Sequence, residues 1–98
     1  MQYNFDWDPE KASNNKRKHK ISFELAATIF KDPRAFSLFD KEHSDPVEER
    51  WITLGLSANG SLLVVVHTYN EINDDVARIR IISARKVTKR EKLQYQGE

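Results

Sequence analysis

Four stretches of the chain alternate apolar and polar side chains, which is the period of a β-strand with one buried face. A fifth stretch, residues 62–69, is apolar almost throughout and predicts a strand at the centre of the sheet. The Asn59-Gly60 pair before it suits a hairpin turn. The predicted strands are residues 3–7, 35–39, 50–57, 62–69 and 76–84.

Three helices are predicted from the residues that would cap them. Asp8 and the proline after it predict a helix over residues 9–18, because proline is favoured at the first helical position. Ser22 begins a second helix that runs to about Phe30, with an apolar face that packs on the core. Thr88 begins a third helix, and the glutamate three residues later completes a capping box.

The order of these elements predicts the fold class. One strand and two helices precede a series of strands joined by hairpins, and a helix follows them. We expect a single α+β domain over residues 1–98, with an antiparallel sheet of about four to five strands. The two N-terminal helices pack on one face of that sheet, and a C-terminal helix completes the domain.

The stretch from Arg78 to Lys86 begins with alternating basic and apolar residues. Because strand side chains point to alternate faces, Arg78 and Arg80 share one face, and the isoleucines that follow them share the other. Two arginines in a row on a strand form either a solvated edge or an anion site, and periodicity leaves both readings open. The same alternation places Arg85 on the opposite face, unless the strand ends or bulges near Ser83.

The net charge of +1 conceals a segregation of charge along the chain. Lysines and arginines dominate residues 11–20 and 78–92, whereas residues 40–49 hold five carboxylates against one lysine. A basic face favours nucleic acid through phosphate neutralisation, but solvated helix faces would show the same pattern.

Cysteine is absent from the sequence, which excludes disulfides and thiolate metal sites. No apolar run approaches the ~20 residues that cross a bilayer, and the N-terminus lacks a signal-peptide pattern. We therefore expect a cytoplasmic protein without a membrane partner.

The remaining candidate chemistry rests on a few residue types. The three histidines are widely spaced and none forms a ligand pair at helix or strand spacing, so we expect no metal site. The chain also lacks a glycine-rich phosphate loop. Histidine, arginine and carboxylate side chains suffice for metal-free cleavage of RNA, with a base at the ribose 2′-hydroxyl and arginines at the phosphate.

His67 is the histidine closest to this chemistry. If its strand forms a hairpin with the next one, His67 lies near Arg78 or Arg80. The alternative is that His67 is a hydrogen-bonded residue at the rim of the sheet, which is the more common role of a lone histidine at a strand end.

Several separated sequence blocks carry a family likeness that extends over nearly the whole chain. They are Trp7-Asp8-Pro9, Lys11, Asn15, Lys18-His19, Ser22-Phe23, Ala26, Asp32-Pro33, Glu49-Arg50, Leu54-Gly55, residues 63–68, residues 80–85, and Thr88-Lys89-Arg90-Glu91 with Tyr95. These blocks resemble the signature of the BrnT toxins. Two features depart from it: Lys20 stands where the family usually has glycine, and residues 69–75 form a longer loop than the expected short charged turn.

The resemblance implies both a fold and a function. BrnT proteins are toxins of type II toxin–antitoxin pairs, and they are ribonucleases of a RelE-like fold that stop translation and growth. The resemblance also implies a DNA-binding antitoxin of the BrnA type, in a complex that binds and represses its own operator, and it implies no cofactor. An exposed patch around Trp51 or the sheet edge would predict a dimer or a two-to-two assembly with the antitoxin.

The residues expected to form the site follow from the chemistry and the resemblance together. Arg78 and Arg80 are predicted phosphate ligands, and His67 is the predicted acid or base with Glu49 as its partner. Tyr95 closes the site from the last helix. The further predicted RNA-binding residues are Lys11, Lys18, His19, Arg50, Arg85 and Lys86. The alternative is a non-catalytic module whose basic face binds an acidic antitoxin segment or DNA.

Overall fold

A computed structural model of the protein describes residues 1–97. Strands are labelled β and helices α in chain order. None of the helices in this range is both long and apolar enough to span a membrane. The elements are β1 (Gln2–Trp7), α1 (Pro9–His19), α2 (Phe23–Ala27), β2 (Phe36–Phe39), β3 (Glu49–Leu56), β4 (Leu62–Glu71), β5 (Val76–Lys86) and α3 (Lys89–Tyr95).

The five strands form one sheet in the order β1-β5-β4-β3-β2. From β2 to β5 all neighbours are antiparallel, which confirms the predicted α+β fold and the central place of β4. β1 differs because it pairs in parallel with β5, from Gln2 opposite Val76 to Trp7 opposite Ile81. A parallel pair needs a long crossover, and here the chain between β1 and β5 supplies it.

α1 and α2 pack on one face of the sheet, as predicted, and we call it the helix face. The predicted caps are confirmed: Glu10 N donates to Asp8 Oδ1 at 2.8 Å, and Leu25 N donates to Ser22 Oγ at 3.1 Å. Each cap satisfies a backbone donor that has no partner inside its helix.

The predicted second helix is split in two. α2 ends at Ala27, and a 3-10 helix, Thr28–Lys31, follows it. At the junction Thr28 Oγ1 donates to Leu25 O at 2.6 Å, and this side-chain bond occupies a carbonyl that a continuing α-helix would use. The 3-10 helix packs close to β3 at Gly55, where a β-carbon would lie only 3.0 Å from Ile29 Cβ.

The hydrophobic core lies between the helix face and these helices. Its buried side chains come from residues 21–29 on one side and from β4 and β5 on the other. They are Ile21, Phe23, Ala26, Ile29, Leu63, Val65, Ile79, Ile81 and Ala84. The predicted inward direction of the two isoleucines of β5 is therefore confirmed.

Asn15 joins α1 to the part of β5 that β1 does not reach. The Asn15 side chain donates to Ala84 O at 2.9 Å and accepts from Ala84 N at 3.1 Å, as a neighbouring strand would. Its amide also donates to Ile21 O at 3.1 Å. These bonds satisfy backbone groups beyond Trp7, where β1 ends.

A β-bulge in β5 interrupts the alternation of faces. His67 lies opposite Ile81, but Val66 lies opposite Ser83, so one additional residue is inserted in β5. Beyond the bulge Arg85 lies opposite Val64 and points away from the helix face. Arg85 therefore shares a face with Arg78 and Arg80, because the strand bulges near Ser83.

α3 lies on the other side of the sheet, which we call the open face. The predicted capping box is present: Glu91 N donates to Thr88 Oγ1 at 3.2 Å, and Thr88 N donates to Glu91 Oε1 at 2.8 Å. α3 contacts β3 and leaves the other end of the open face uncovered.

The structure explains one departure from the family signature, Lys20, and corrects the other, the long loop. Lys20 adopts the left-handed conformation, with φ 63°, that glycine would adopt at the end of α1. The expectation of a long loop over residues 69–75 is wrong, because β4 continues to Glu71 and only residues 72–75 connect it to β5.

Candidate functional site

Polar side chains of four neighbouring strands meet on the open face. Arg50 of β3 lies opposite Thr68 of β4, and Asn70 of β4 lies opposite Arg78 of β5. The same register places Arg80 opposite Thr68. Because neighbouring strands lie ~4.8 Å apart, the Cα atoms of Arg50 and Arg80 are ~10 Å apart on either side of Thr68.

A cleft of about 410 Å³ lies beside these arginines, and we call it the arginine cleft. Its lining residues are Asp6, Val47, Glu48, Thr68, Tyr69, Asn70, Arg78 and Arg80. Arg50 borders the cleft, since its Nη2 lies 3.9 Å from Glu48 Oε1. The structure thus brings three predicted site residues, Arg50, Arg78 and Arg80, to one end of the open face.

The three guanidinium groups differ in how closely each is paired with a carboxylate. Arg80 Nη1 lies 3.3 Å from Asp6 Oδ1, and both side chains are 46% exposed. Arg50 has only its long contact to Glu48, and its buried Nε has no hydrogen-bond partner within residues 1–97. Arg78 forms no salt bridge in the same range. Unused guanidinium donors on a rigid sheet suit the paired oxygens of a phosphate.

His67 lies on the helix face, across the sheet from the arginines. Only 3% of its surface is exposed, and its ring packs edge-to-face on Phe30 with centroids 4.9 Å apart. Its Nδ1 donates to Thr68 O at 2.9 Å, so in the neutral ring Nε2 accepts from Thr53 Oγ1, 2.6 Å away. Burial lowers the pKa of His67, although the bond to Thr68 opposes this shift. The predicted hairpin of β4 and β5 forms, but His67 points away from the arginine cleft.

Glu49 and Tyr95 also lie outside the residues that line the arginine cleft. Glu49 Oε1 accepts from Trp51 Nε1 at 3.1 Å rather than from His67. Tyr95 donates to Asp32 Oδ2 at 2.6 Å, and this bond raises the pKa of the Tyr95 phenol.

The bond to Asp32 places Tyr95 at the far end of the sheet. The same Asp32 Oδ2 accepts from Leu56 N at 2.8 Å, at the last residue of β3. Six strand residues separate Leu56 from Arg50, which corresponds to ~20 Å. Tyr95 therefore cannot contact a group bound between Arg50 and Arg80.

A second cleft, of about 230 Å³, lies where α1 meets the bulge of β5. We call it the helix cleft, and its lining residues are Lys11, Asn14, Asn15, Lys18, His19, Ile82 and Ser83. Three predicted RNA-binding residues are thus brought together there. Ser83 is three residues beyond Arg80 on β5, so the helix cleft begins ~10 Å from the arginine cleft.

Arg85 is held in place by α3. Its Nη1 and Nη2 donate to the two carboxylate oxygens of Glu91 at 2.8 and 2.9 Å. This fork-to-fork contact lowers the pKa of Glu91 to about 2. Arg85 therefore anchors α3 to the sheet, whereas its neighbour Lys86 is exposed.

The three histidines lie in separate parts of the fold. His19 ends α1, His67 is buried in β4, and exposed His43 contacts Asp40 in the loop before β3 at 2.9 Å. Within the described part of the chain, no three or more side chains that could ligate a metal come together.

A family model for the ribonuclease toxin BrnT of type II toxin–antitoxin systems matches residues 7–91. The protein belongs to the BrnT family. No curated protein matches the chain. Membership in a family of type II toxins implies an RNA target and an antitoxin partner for this chain.

The BrnT match includes the strands that carry Arg50, Arg78 and Arg80, and it includes α1 with the helix cleft. It ends before Tyr95. Of the residues that line the arginine cleft, Asp6 alone lies outside the matched range.

Three polar residues of the arginine cleft lie outside the sequence blocks that carry the family likeness: Asp6, Glu48 and Asn70. Asp6 and Asn70 face the arginines only once β1, β4 and β5 are set in register, and Glu48 reaches the cleft from the loop before β3. Alternation within one strand predicts which side chains share a face, but it does not predict which residue of the next strand lies opposite.

Proposed function

We propose that this BrnT protein is a metal-independent endoribonuclease that cleaves RNA at the arginine cleft and thereby inhibits translation and growth. The observation that carries the proposal is the convergence of Arg50 from β3 with Arg78 and Arg80 from β5 on one face of the sheet. Guanidinium groups remain charged at physiological pH and bind phosphate through paired hydrogen bonds.

In the proposed reaction, the ribose 2′-oxygen attacks the adjacent phosphorus, and the bond from phosphorus to the 5′-oxygen breaks. A base takes the proton of the 2′-hydroxyl, and an acid delivers a proton to the departing 5′-oxygen. The products are a 2′,3′-cyclic phosphate and a 5′-hydroxyl end. Arg50 and Arg80 stabilise the negative charge that grows on the non-bridging oxygens. Asp6 and Glu48 are the proposed bases, because they are the carboxylates that line the cleft.

In the proposed reaction, His67 is a positioning residue. Its neutral ring links β3 to β4 through Thr53, and it fixes the backbone of Thr68. The Thr68 side chain points to the opposite face and lines the arginine cleft. His67 therefore supports the floor of the cleft from the other side of the sheet.

The helix cleft would bind RNA that flanks the reacting phosphate. Lys11, Lys18 and His19 supply cationic or hydrogen-bonding groups beside Ile82 and Ser83, the residues that follow Arg80 and Ile81 on β5. Phosphate contacts of this kind position a nucleic acid without reading its sequence. Exposed Lys86 extends the basic surface at the end of β5.

The proposed partner is a BrnA-type antitoxin with a DNA-binding domain. We propose that it neutralises the toxin in the cytoplasm, in a complex of two-to-two stoichiometry, and that this complex represses its own operon. The type II family match supports an antitoxin in general.

Cleavage in the presence of a chelator tests the enzymatic proposal. Purified wild-type protein is incubated with end-labelled single-stranded RNA and an excess of EDTA, and the products are resolved on a gel. We expect scission with cyclic phosphate ends, and we expect added salt to suppress it by weakening phosphate contacts. Growth arrest by a protein that leaves both free and ribosome-bound RNA intact would overturn the proposal.

The alternative is a non-catalytic basic surface. It is favoured by one observation: no histidine lines the arginine cleft among the residues described. Such a surface would bind nucleic acid or an acidic protein segment through charge alone. Salt-dependent binding of RNA without any scission would support this alternative.

A further inference from the structure

β2 forms one edge of the sheet, and no strand within residues 1–97 pairs with its outer side. Its sequence, Phe36-Ser37-Leu38-Phe39, contains no charged residue and no proline. Its pairing with β3 runs in continuous register without a bulge. Native proteins usually protect an edge strand by making it very short or with charge, proline, a bulge or a covering element; β2 is short, at four residues, but it has no charge, proline or bulge that would prevent pairing.

Ser37 and Phe39 direct their backbone groups towards the free edge. Asp40 N donates to Arg50 O at 2.8 Å, so these residues form a hydrogen-bonded pair of the antiparallel ladder. Hydrogen-bonded and non-hydrogen-bonded pairs alternate along such a ladder. The N–H and C=O groups of Leu38 therefore bond with β3, whereas those of its two neighbours point outward.

Apolar side chains flank this edge on both faces of the sheet. Leu38 is 53% exposed on the open face, and Phe39 is 48% exposed on the helix face, where it packs on Trp51. Val47, in the adjacent loop, is 96% exposed. A strand added to β2 would cover Leu38 and Phe39 with alternate side chains while it bonds to the free backbone groups.

The charge around the edge indicates the chemistry of the occupant. Residues 40–49 follow β2 directly and hold five carboxylates against one lysine. A second copy of this chain would bring an identical acidic segment against the first, and like charges across an interface are unfavourable. A basic partner is therefore favoured over self-association.

We propose that the β2 edge is the docking site of the antitoxin, which adds an extended segment as a sixth strand. The segment carries apolar residues at alternate positions and lysine or arginine residues opposite residues 40–49. This mode of recognition takes affinity from main-chain hydrogen bonds and specificity from alternate side chains. The identity of the partner rests on the proposed toxin function, whereas the open edge does not.

The position of the edge separates docking from cleavage. Of the residues that line the cleft, Val47 and Glu48 belong to the loop after β2, but none belongs to β2 itself. Variants of β2 therefore leave the arginine cleft intact. They are expected to remain toxic but to escape the antitoxin.

Ser37→Pro is the sharpest variant, because it removes an outward N–H and leaves the hydrogen-bonded pairs with β3 in place. Ser37→Ala is its matched control, because it loses the same contact of Ser37 Oγ with Thr53 Oγ1 but retains the N–H. Leu38→Lys tests the apolar face independently. Its control is Leu93→Lys, which changes a similarly exposed leucine on α3.

Affinity for the purified cognate antitoxin is measured by calorimetry, and rescue of growth by its co-expression is scored in cells. We expect Ser37→Pro and Leu38→Lys to weaken binding by at least about tenfold and to abolish rescue, with both controls unchanged.

Wild-type affinity and full rescue for both variants would overturn the docking site. A self-dimer that Leu38→Lys dissolves would also overturn it. If Ser37→Pro unfolds, Leu38→Lys decides alone. If the wild-type protein is not toxic when it is expressed without the antitoxin, the toxin function is refuted, and calorimetry still tests the β2 edge.

Discussion

Arg50 and Arg80 point to the same side of the sheet from two strands that flank Thr68. Their Cα atoms are ~10 Å apart, and an extended arginine reaches ~6–7 Å, so both guanidinium groups can meet on one phosphate between them. Among the residues described, the carboxylate contact of the Arg50 guanidinium is the one from Nη2 to Glu48 Oε1, which at 3.9 Å is longer than a hydrogen bond.

Removal of either arginine is expected to slow RNA cleavage. Arg50→Ala and Arg80→Ala should each lower the single-turnover rate by about 100- to 1000-fold, which is typical for loss of one donor to a developing charge. Arg50→Lys keeps the charge but loses the planar fork, so its rate should lie between those of the wild type and Arg50→Ala. Arg90→Ala, an exposed arginine on α3, is the matched control. Wild-type rates for both alanine variants would exclude the arginine cleft as the site of cleavage.

The direction of these arginines could be predicted from the sequence, but the direction of His67 could not. Alternation within β5 separates Arg78 and Arg80 from the isoleucines without any knowledge of the neighbouring strands. β4 is apolar on both faces, so its own pattern does not show which side His67 takes. Only the register with β3, which sets His67 opposite Trp51, assigns it to the helix face.

His67 should make the protein less stable in mild acid. Burial lowers its folded-state pKa below the ordinary value of about 6.5, which applies to the unfolded chain. Between these two pKa values the unfolded chain binds a proton that the folded protein does not, so the free energy of unfolding falls as the pH drops below about 6.5. Urea unfolding between about pH 7.5 and about pH 5 measures this slope.

The matched variants for this slope are His67→Gln and His43→Gln. His67→Gln is expected to be less stable at neutral pH, because it disturbs a buried and hydrogen-bonded site, but it should lose part of the acid dependence. His43 is exposed in the loop before β3, so His43→Gln controls for the same substitution at a surface position. Equal slopes in wild type and His67→Gln would show that the imidazole titrates freely in the folded protein.

Lys20 is expected to limit stability at the end of α1. A residue with a β-carbon in the left-handed region costs about 1 kcal/mol relative to glycine, and Lys20 has φ 63°. Lys20→Gly should therefore raise the free energy of unfolding by about 1 kcal/mol, measured by thermal or urea unfolding.

Lys20→Ala separates the backbone effect from the side chain. It loses the bond from Lys20 Nζ to Arg17 O, which is 3.2 Å long and exposed, but it keeps the β-carbon. No gain is expected for this variant. A gain in Lys20→Ala equal to that of glycine would mean that the lysine side chain, rather than the backbone conformation, is unfavourable.

The β-bulge in β5 decides on which face of the sheet Arg85 lies, and composition and periodicity do not reveal this bulge. A single extra residue near Ser83 reverses the parity of β5 and moves Arg85 to the open face. Next to the bulge, Asn15 of α1 binds both backbone groups of Ala84, beyond the end of β1. Such long-range side-chain bonds to a strand edge are invisible in local sequence patterns, whereas helix caps such as Asp8 and Thr88 are local and were predicted.

Tyr95→Phe tests whether the C-terminal helix contributes structure or chemistry. The variant loses the hydrogen bond to Asp32, so the free energy of unfolding should fall by about 1–2 kcal/mol, the usual range for a bond to a charged group at a partly exposed position. The cleavage rate per folded molecule should stay at the wild-type value, because Tyr95 is held ~20 Å from Arg50.

Tyr69→Phe is the control for loss of a phenol whose bond is long, at 3.5 Å to Glu71, and it should leave stability nearly unchanged. A Tyr95→Phe protein with full stability and a collapsed cleavage rate would place Tyr95 at the reacting phosphate, and the site would then have to lie at the Asp32 end of the sheet.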